Sequence, residues 1–282
     1  MAAIEGIDVD TDATELCISE TFNAPDADIV FQSSDSHQFY VHGKNLEVTC
    51  GGFDAEEIVA RGEVSLLPEA ANILSLLFQY IYPNRHPSLK NENFEVIAPL
   101  AYAAEKYKVF AAMNICHIRM LSFLSTHPLD VMKYGAHHGY PEIVDAAAPL
   151  VIGTATLAEV AQSLPSQMMM AWIQYYQAWL DIVPLALNYQ VDELDDCTTI
   201  ASSKGKKGKS YLSAKVCAYC GPQVMSIRKN LSKGVASLAR LSFVFEHVVK
   251  PEMCWCPEYF SAQWRSFIEA EINRIPKFNT FL

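Results

Sequence analysis

Between Ala24 and Tyr107 the hydrophobic rhythm of the chain changes from strand to helix, and that change constrains the fold more than any other feature. Ile29-Val-Phe is a short β-rich run, Ser33-Ser-Asp-Ser-His is turn chemistry, and Phe39-Tyr-Val resumes β character. Two such runs split by small polar residues predict a hairpin. Lys44–Val48 then predicts a helix stopped near Gly51-Gly52, and Val64-Ser-Leu-Leu a third strand stopped by Pro68. Ile73, Leu76, Leu77, Tyr80 and Ile81 follow at i, i+3, i+4, i+7 and i+8, a single apolar stripe. A second helix carries Phe94, Ile97, Ala98, Ala101 and Ala104 on one face. A third runs over roughly 110–124 with Phe110, Met113, His117, Met120 and Leu124 recurring.

Helical patterning continues beyond this stretch. Pro128 fits a first helical turn, where its missing N–H is harmless. Glu142–Leu150 is a short helix, and Thr156-Leu-Ala-Glu is a capping box in which Thr156 and Glu159 satisfy each other's backbone N–H. The face behind it is expected to bury Leu157, Val160, Ala161 and Leu164. Met168–Val183 is a longer helix with Trp172, Tyr176 and Leu180 on a stripe and a Met triplet as core filler. A final amphipathic helix carries Trp264, Ile268, Ile272 and Ile275. The fold class expected is α+β, with a mostly α-helical C-terminal region.

Charge and cysteine content narrow the function. The net charge of −11 excludes wholesale nucleic-acid binding, which depends on Lys and Arg neutralising phosphates. Met168–Leu187 contains Gln174, Gln177, Asp181 and Pro184, which favours a buried or amphipathic helix over a membrane span. The N-terminus has neither a basic nor an apolar signal region, and its acids Asp8, Asp10, Asp12 and Glu15 fall where one would lie. Eight Cys in such a chain point to reduced thiols and an intracellular location, cytoplasm or nucleus. The first 23 residues read as a mobile acidic tail, since no Lys or Arg precedes Lys44. Asp192, Glu193, Asp195 and Asp196, followed by Lys204-Gly-Lys-Lys-Gly-Lys, read as an exposed linker over 191–212.

Catalytic patterns find little support. No Gly-x-Ser-x-Gly elbow and no Gly-x-Gly-x-x-Gly occurs, and Lys204–Lys209 lacks the form of a phosphate loop. Cys116 and His117 are adjacent on a helix and point about 100° apart, so they cannot pair with each other. The sharpest chemical candidate is a structural zinc. Cys217-x-x-Cys220 has the spacing that puts two thiolates on one metal, and Cys254-x-Cys256 supplies a second pair, with Cys197 or His247 as substitutes.

Ala27-Asp-Ile-Val-Phe, Phe39-x-Val-His-x-x-x-Leu46 and Phe53, together with Leu76-Leu-Phe-Gln-Tyr-Ile-Tyr-Pro and Leu100-x-x-Ala-Ala-Glu-Lys-Tyr, resemble a BTB/POZ domain in order and spacing. The segment from Pro128-Leu-Asp-Val to Gly139-Tyr-Pro-Glu-Ile is similar to the helices that trail this domain in fungal members. The resemblance implies a non-catalytic protein–protein interaction module over 24–126, an adaptor or self-associating scaffold. Trailing helices (127–190), the linker and a Cys-containing helical segment (213–282) would follow. It implies protein partners and a homodimer formed through the first helix, here Lys44, Leu46 and Phe53. Cys50-Gly51-Gly52 replaces the family's usual Ser-Pro before Phe53. Glu56-Glu-Ile-Val-Ala-Arg-Gly-Glu does not match the hydrophobic-x-Glu motif of cullin-binding members, which argues against a cullin partner. The alternative expectation is a zinc-stabilised C-terminal domain with the BTB-like part as its adaptor, in ubiquitin-ligase recruitment. A DNA-reading regulator lacks a visible recognition helix or basic face.

Overall fold

The computed structural model describes residues 17–53, 63–190, 221–246 and 256–282, with side chains from residue 260 onward in the last of these. The chain divides into two compact units, 1–123 and 124–282. It is a mixed α+β protein with one small sheet and many helices.

In the first unit, β2 (Ile29–Gln32) and β3 (His37–Val41) form the expected antiparallel hairpin. Ser33 closes its turn, accepting from the His37 N–H at 2.9 Å through its hydroxyl, while Ser36 takes a positive φ of 64°. The third strand, β4 (Val64–Leu66), pairs parallel with β2. Beside β3, in parallel, lies β1 (Cys17–Asn23), so the last residues of the expected mobile tail are a strand of the sheet. The sheet order is therefore β1-β3-β2-β4. Phe22 is the reason β1 is fixed: it is buried against Phe39, Phe78 and Tyr82, with ring centroids 6.1, 5.8 and 5.6 Å away. One large aromatic on the inward face outweighs the acidity of the residues before it.

Helix α1 (Gly43–Thr49) follows the hairpin, then α2 (Ala71–Gln79), α3 (Phe94–Lys106) and α4 (Phe110–Leu121). Helix α2 ends at Gln79, yet Tyr80 and Ile81 in the turn beyond it are still buried, and Tyr80 donates its hydroxyl to Pro87 O at 3.0 Å. Leu74 and Phe78 join Ile73 and Leu77 in the core, and Leu76 is only half-buried. Asn93 caps α3 by accepting from the Val96 N–H. Helix α4 buries Ala112, Cys116 and Met120, so its inward face is rotated from the expected one, and Phe110 is exposed.

Gly51 and Gly52 weaken no helix, because α1 has already ended at Thr49. They bring the end of α1 against the α3–α4 connection: Gly51 N–H donates to Lys108 O and Gly52 N–H to Tyr107 O, each at 3.1 Å. A Cβ on Gly52 would lie 2.6 Å from the Tyr107 carbonyl carbon, a backbone atom that cannot swing aside. Gly52→Ala is therefore expected to destabilise the first unit by about 1–3 kcal/mol, the usual cost of overpacking. Denaturant unfolding followed by circular dichroism checks this, and an unchanged midpoint would contradict the close approach.

The second unit is helical: α5 (Pro128–His138), α6 (Pro141–Ile152), α7 (Leu157–Ser163), α8 (Met169–Leu187), α9 (Gly221–Leu231), α10 (Val235–Leu238), α11 (Leu241–Phe245) and α12 (Cys256–Asn273). Short 3-10 turns at Ser166–Met168 and Phe278–Phe281 complete it. Gly139 ends α5 in the left-handed conformation at φ 74°. The capping box of α7 forms as expected, with Thr156 N–H donating to Glu159 Oε2 at 2.8 Å and Glu159 N–H to Thr156 Oγ1 at 3.3 Å. Behind it only Val160 and Leu164 are buried, while Leu157 and Ala161 are exposed.

Helix α8 is central to this core. Its buried stripe is Trp172, Tyr175, Trp179, Ile182 and Ala186, alternating steps of three and four residues. The expected stripe through Tyr176 and Leu180 is displaced, and of the Met triplet Met168 is buried and Met170 exposed. Phe260, Trp264 and Ile268 of α12 and Phe278 share the same hydrophobic cluster, and Trp264 donates its indole N–H to Ala186 O at 2.8 Å. Among the described residues no helix is long and apolar enough to cross a membrane.

Candidate interaction surface

Helix α1 is fixed at both ends. Its first N–H, on Gly43, donates to Asp28 Oδ1 at 2.7 Å, and Cys50 N–H closes the far end on Leu46 O. His42, at the N-cap, is tied to the residue after α2: its backbone N–H donates to the Tyr82 hydroxyl at 3.2 Å, and Nδ1 lies 2.9 Å from the same oxygen. Nε2 of His42 stands 3.4 Å from Asp26 Oδ1. His42 and Tyr82 border a cleft of about 320 Å³ that is also lined by Phe22, Tyr40 and Arg85. Because both the backbone and the ring of His42 engage Tyr82, the arrangement joins two segments 40 residues apart.

The three residues expected on the self-association face part company. Leu46 is 1 % exposed, a core side chain that anchors α1 and cannot meet a partner, because a helix two turns long needs one face to hold it to the domain. Phe53 is half-buried, stacked on Tyr107 with ring centroids 4.6 Å apart and lying 5.4 Å from Phe31. Lys44 alone of the three is fully on the outer surface. Its neighbours there are Glu47 and Val48, and Val48 is 77 % exposed. The sequence held a signal for Val48, since it stands four residues after Lys44 and about 200° around the helix from Leu46.

Two thiols of the first unit, Cys50 and Cys116, are held back by burial. Burial pushes the Cys116 thiol up to about 12, with the Glu105 charge adding to it, and burial also raises Cys50. A thiol raised in this way is a poor nucleophile at neutral pH. Cys116 is fully buried and its neighbour His117 is half-buried.

The expected zinc ligands Cys217, Cys220 and Cys254 lie outside the described residues, as do Cys197 and His247; Cys256 opens α12, with its side chain also outside. Among the described residues, no group of three or more His, Cys, Asp or Glu side chains is placed to hold a metal. None of the family models, curated proteins or solved structures compared with the chain matches it.

Proposed function

We propose that the first unit is a non-catalytic, BTB/POZ-like protein–protein interaction module of an intracellular protein, and that it self-associates through the outer face of α1. The observation that carries this reading is the helix held at both ends, with an exposed Val48 in its last turn. The valine is flanked on the same surface by one cation, Lys44, and one anion, Glu47. A two-fold axis through such a face sets Val48 against its own copy, the self-complementarity that an isologous dimer requires. The order of strands and helices in this unit, with β4 returning parallel to β2, is consistent with the family resemblance of the sequence. The trailing helices would then extend or orient the surface offered to other proteins.

Light scattering on the full chain tests the reading. The expected result is a mass that rises above the 31.4 kDa monomer with concentration. Val48→Asp is expected to weaken that association by about tenfold or more, because a buried charge without a partner costs at least the 1.4 kcal/mol that a tenfold change represents. A monomer at every concentration, or a dimer indifferent to Val48→Asp and Lys44→Glu alike, overturns it.

A further inference from the structure

In the second unit a groove of about 710 Å³ lies between the end of α8 and the outer face of α9, and its charge is opposite to that of the protein as a whole. Leu187 and Pro222 contribute apolar walls with Met225, which is 65 % exposed, and Arg228 and Lys229 stand at the rim. Over Gly221–Phe245 the sequence has Arg228, Lys229, Lys233 and Arg240 and no Asp or Glu, a local charge of +4 in a chain of −11. All four cations are exposed, and among the described residues neither Arg228 nor Lys229 has a carboxylate partner.

The chain between the two walls of this groove carries the complement. It leaves α8 after Leu187 and returns at Gly221, where α9 begins. Its first part is Val191-Asp-Glu-Leu-Asp-Asp, in which Asp192, Glu193, Asp195 and Asp196 surround one apolar side chain, Leu194. That matches an apolar floor with a cationic rim. Reach is sufficient: Asp192 is five residues beyond Leu187, so it can lie anywhere within about 17 Å of it, whereas the ten helical steps from Pro222 to Ser232, just past the end of α9, rise about 15 Å. A tether this short also gives the run an effective concentration on the order of millimolar.

We propose that the groove of α9 is the docking site of this protein's own acidic run, Asp192–Asp196, with Leu194 against Met225 and Leu187 and the carboxylates facing Arg228 and Lys229.

A water-soluble carbodiimide joins an amine to a carboxylate in contact with it, and mass spectrometry locates the bond. In the dilute full chain the expected product is an amide between Lys229 and an acid of Asp192–Asp196. It should form within one molecule, as judged in a mixture of isotopically light and heavy protein. Its yield should fall several-fold at about 1 M salt, where screening reaches about 3 Å. Lys229→Glu should abolish the product, and Lys229→Glu combined with Glu193→Lys should restore it with the roles reversed. A Lys229 product between molecules, or with carboxylates elsewhere, overturns the proposal. So does joining of the acidic run to Lys204–Lys209 in its place, or no reaction at Lys229.

Discussion

Trp264→Ala is expected to destabilise the second unit by about 3–5 kcal/mol, the range for removing a buried aromatic side chain. Trp264 has no exposed surface. It stacks on Tyr189 with centroids 5.7 Å apart, meets Phe245 edge-on at 6.1 Å, and joins α12 to α8 through the hydrogen bond to Ala186 O. That oxygen is one of the last four carbonyls of α8, which no amide of the same helix can satisfy. The alanine variant therefore opens a cavity and also orphans a buried acceptor. Trp264→Phe separates the two effects. It keeps most of the ring contact and loses the donor, so a smaller cost of about 1–2 kcal/mol is expected. Far-UV circular dichroism in denaturant is the appropriate readout, since tryptophan fluorescence changes with the substitution itself. A domain is stable by only about 5–15 kcal/mol, so the alanine variant should lose a large share of its stability. A loss below about 1 kcal/mol would contradict the packing of α12 against α8, because so buried an indole cannot be removed so cheaply.

Phe78→Ala is expected to cost the first unit a similar amount, about 3–5 kcal/mol. Phe78 is fully buried on α2 and is the ring around which the sheet's inward aromatics gather. Phe31 stacks on it at 5.5 Å, while Phe39 and Phe22 meet it edge-on at 5.4 and 5.8 Å. Edge-to-face and offset pairs add about 0.5–1.5 kcal/mol each beyond the buried area, so one truncation removes several such terms. Phe78→Leu, which keeps an apolar side chain in the space, should cost clearly less. Because β1 reaches the core mainly through Phe22, the alanine variant should also expose the amides of Cys17–Asn23 to faster hydrogen exchange than those of β2. Equal protection of the two strands would remove Phe78 as the link between them.

The two interior sites differ in how readable they were. Phe78 sits inside a run with a clear helical period, so its helix could be placed from spacing alone, although the period singled out Leu76 and not Phe78 for the core. Trp264 was placed on the apolar face of the last helix, and it is there; that its indole would satisfy a carbonyl 78 residues earlier has no local signal. The same division runs through α8, where the sequence contains two plausible apolar stripes. The stripe through Tyr175 and Trp179 is buried because α12 and Phe278 supply aromatic partners on that side. Leu180, on the competing stripe, is left exposed.

The candidate interaction face followed the same pattern. Lys44 was legible as a surface residue of a short helix, but Leu46 was not separable from it until the hairpin and α2 gave the helix something to lie against. Gly51 and Gly52 read in the sequence as the stop of a helix. They are a contact point for a second backbone, which local propensity does not encode.

By itself, the sequence determined which segments are strands and helices over most of Ile29–Lys106, the turn at Ser33–Ser36, the capping box of α7 and the amphipathic character of α12, because each depends on neighbours within about four residues. Only the tertiary structure decided that β1 belongs to the sheet, which stripe of α8 and which face of α4 turn inward, and that Val48 rather than Leu46 faces outward from α1. The reason is physical: a period specifies that a helix has an apolar face, but the partner that buries it is distant in sequence, and burial goes to the face that finds the larger complementary surface.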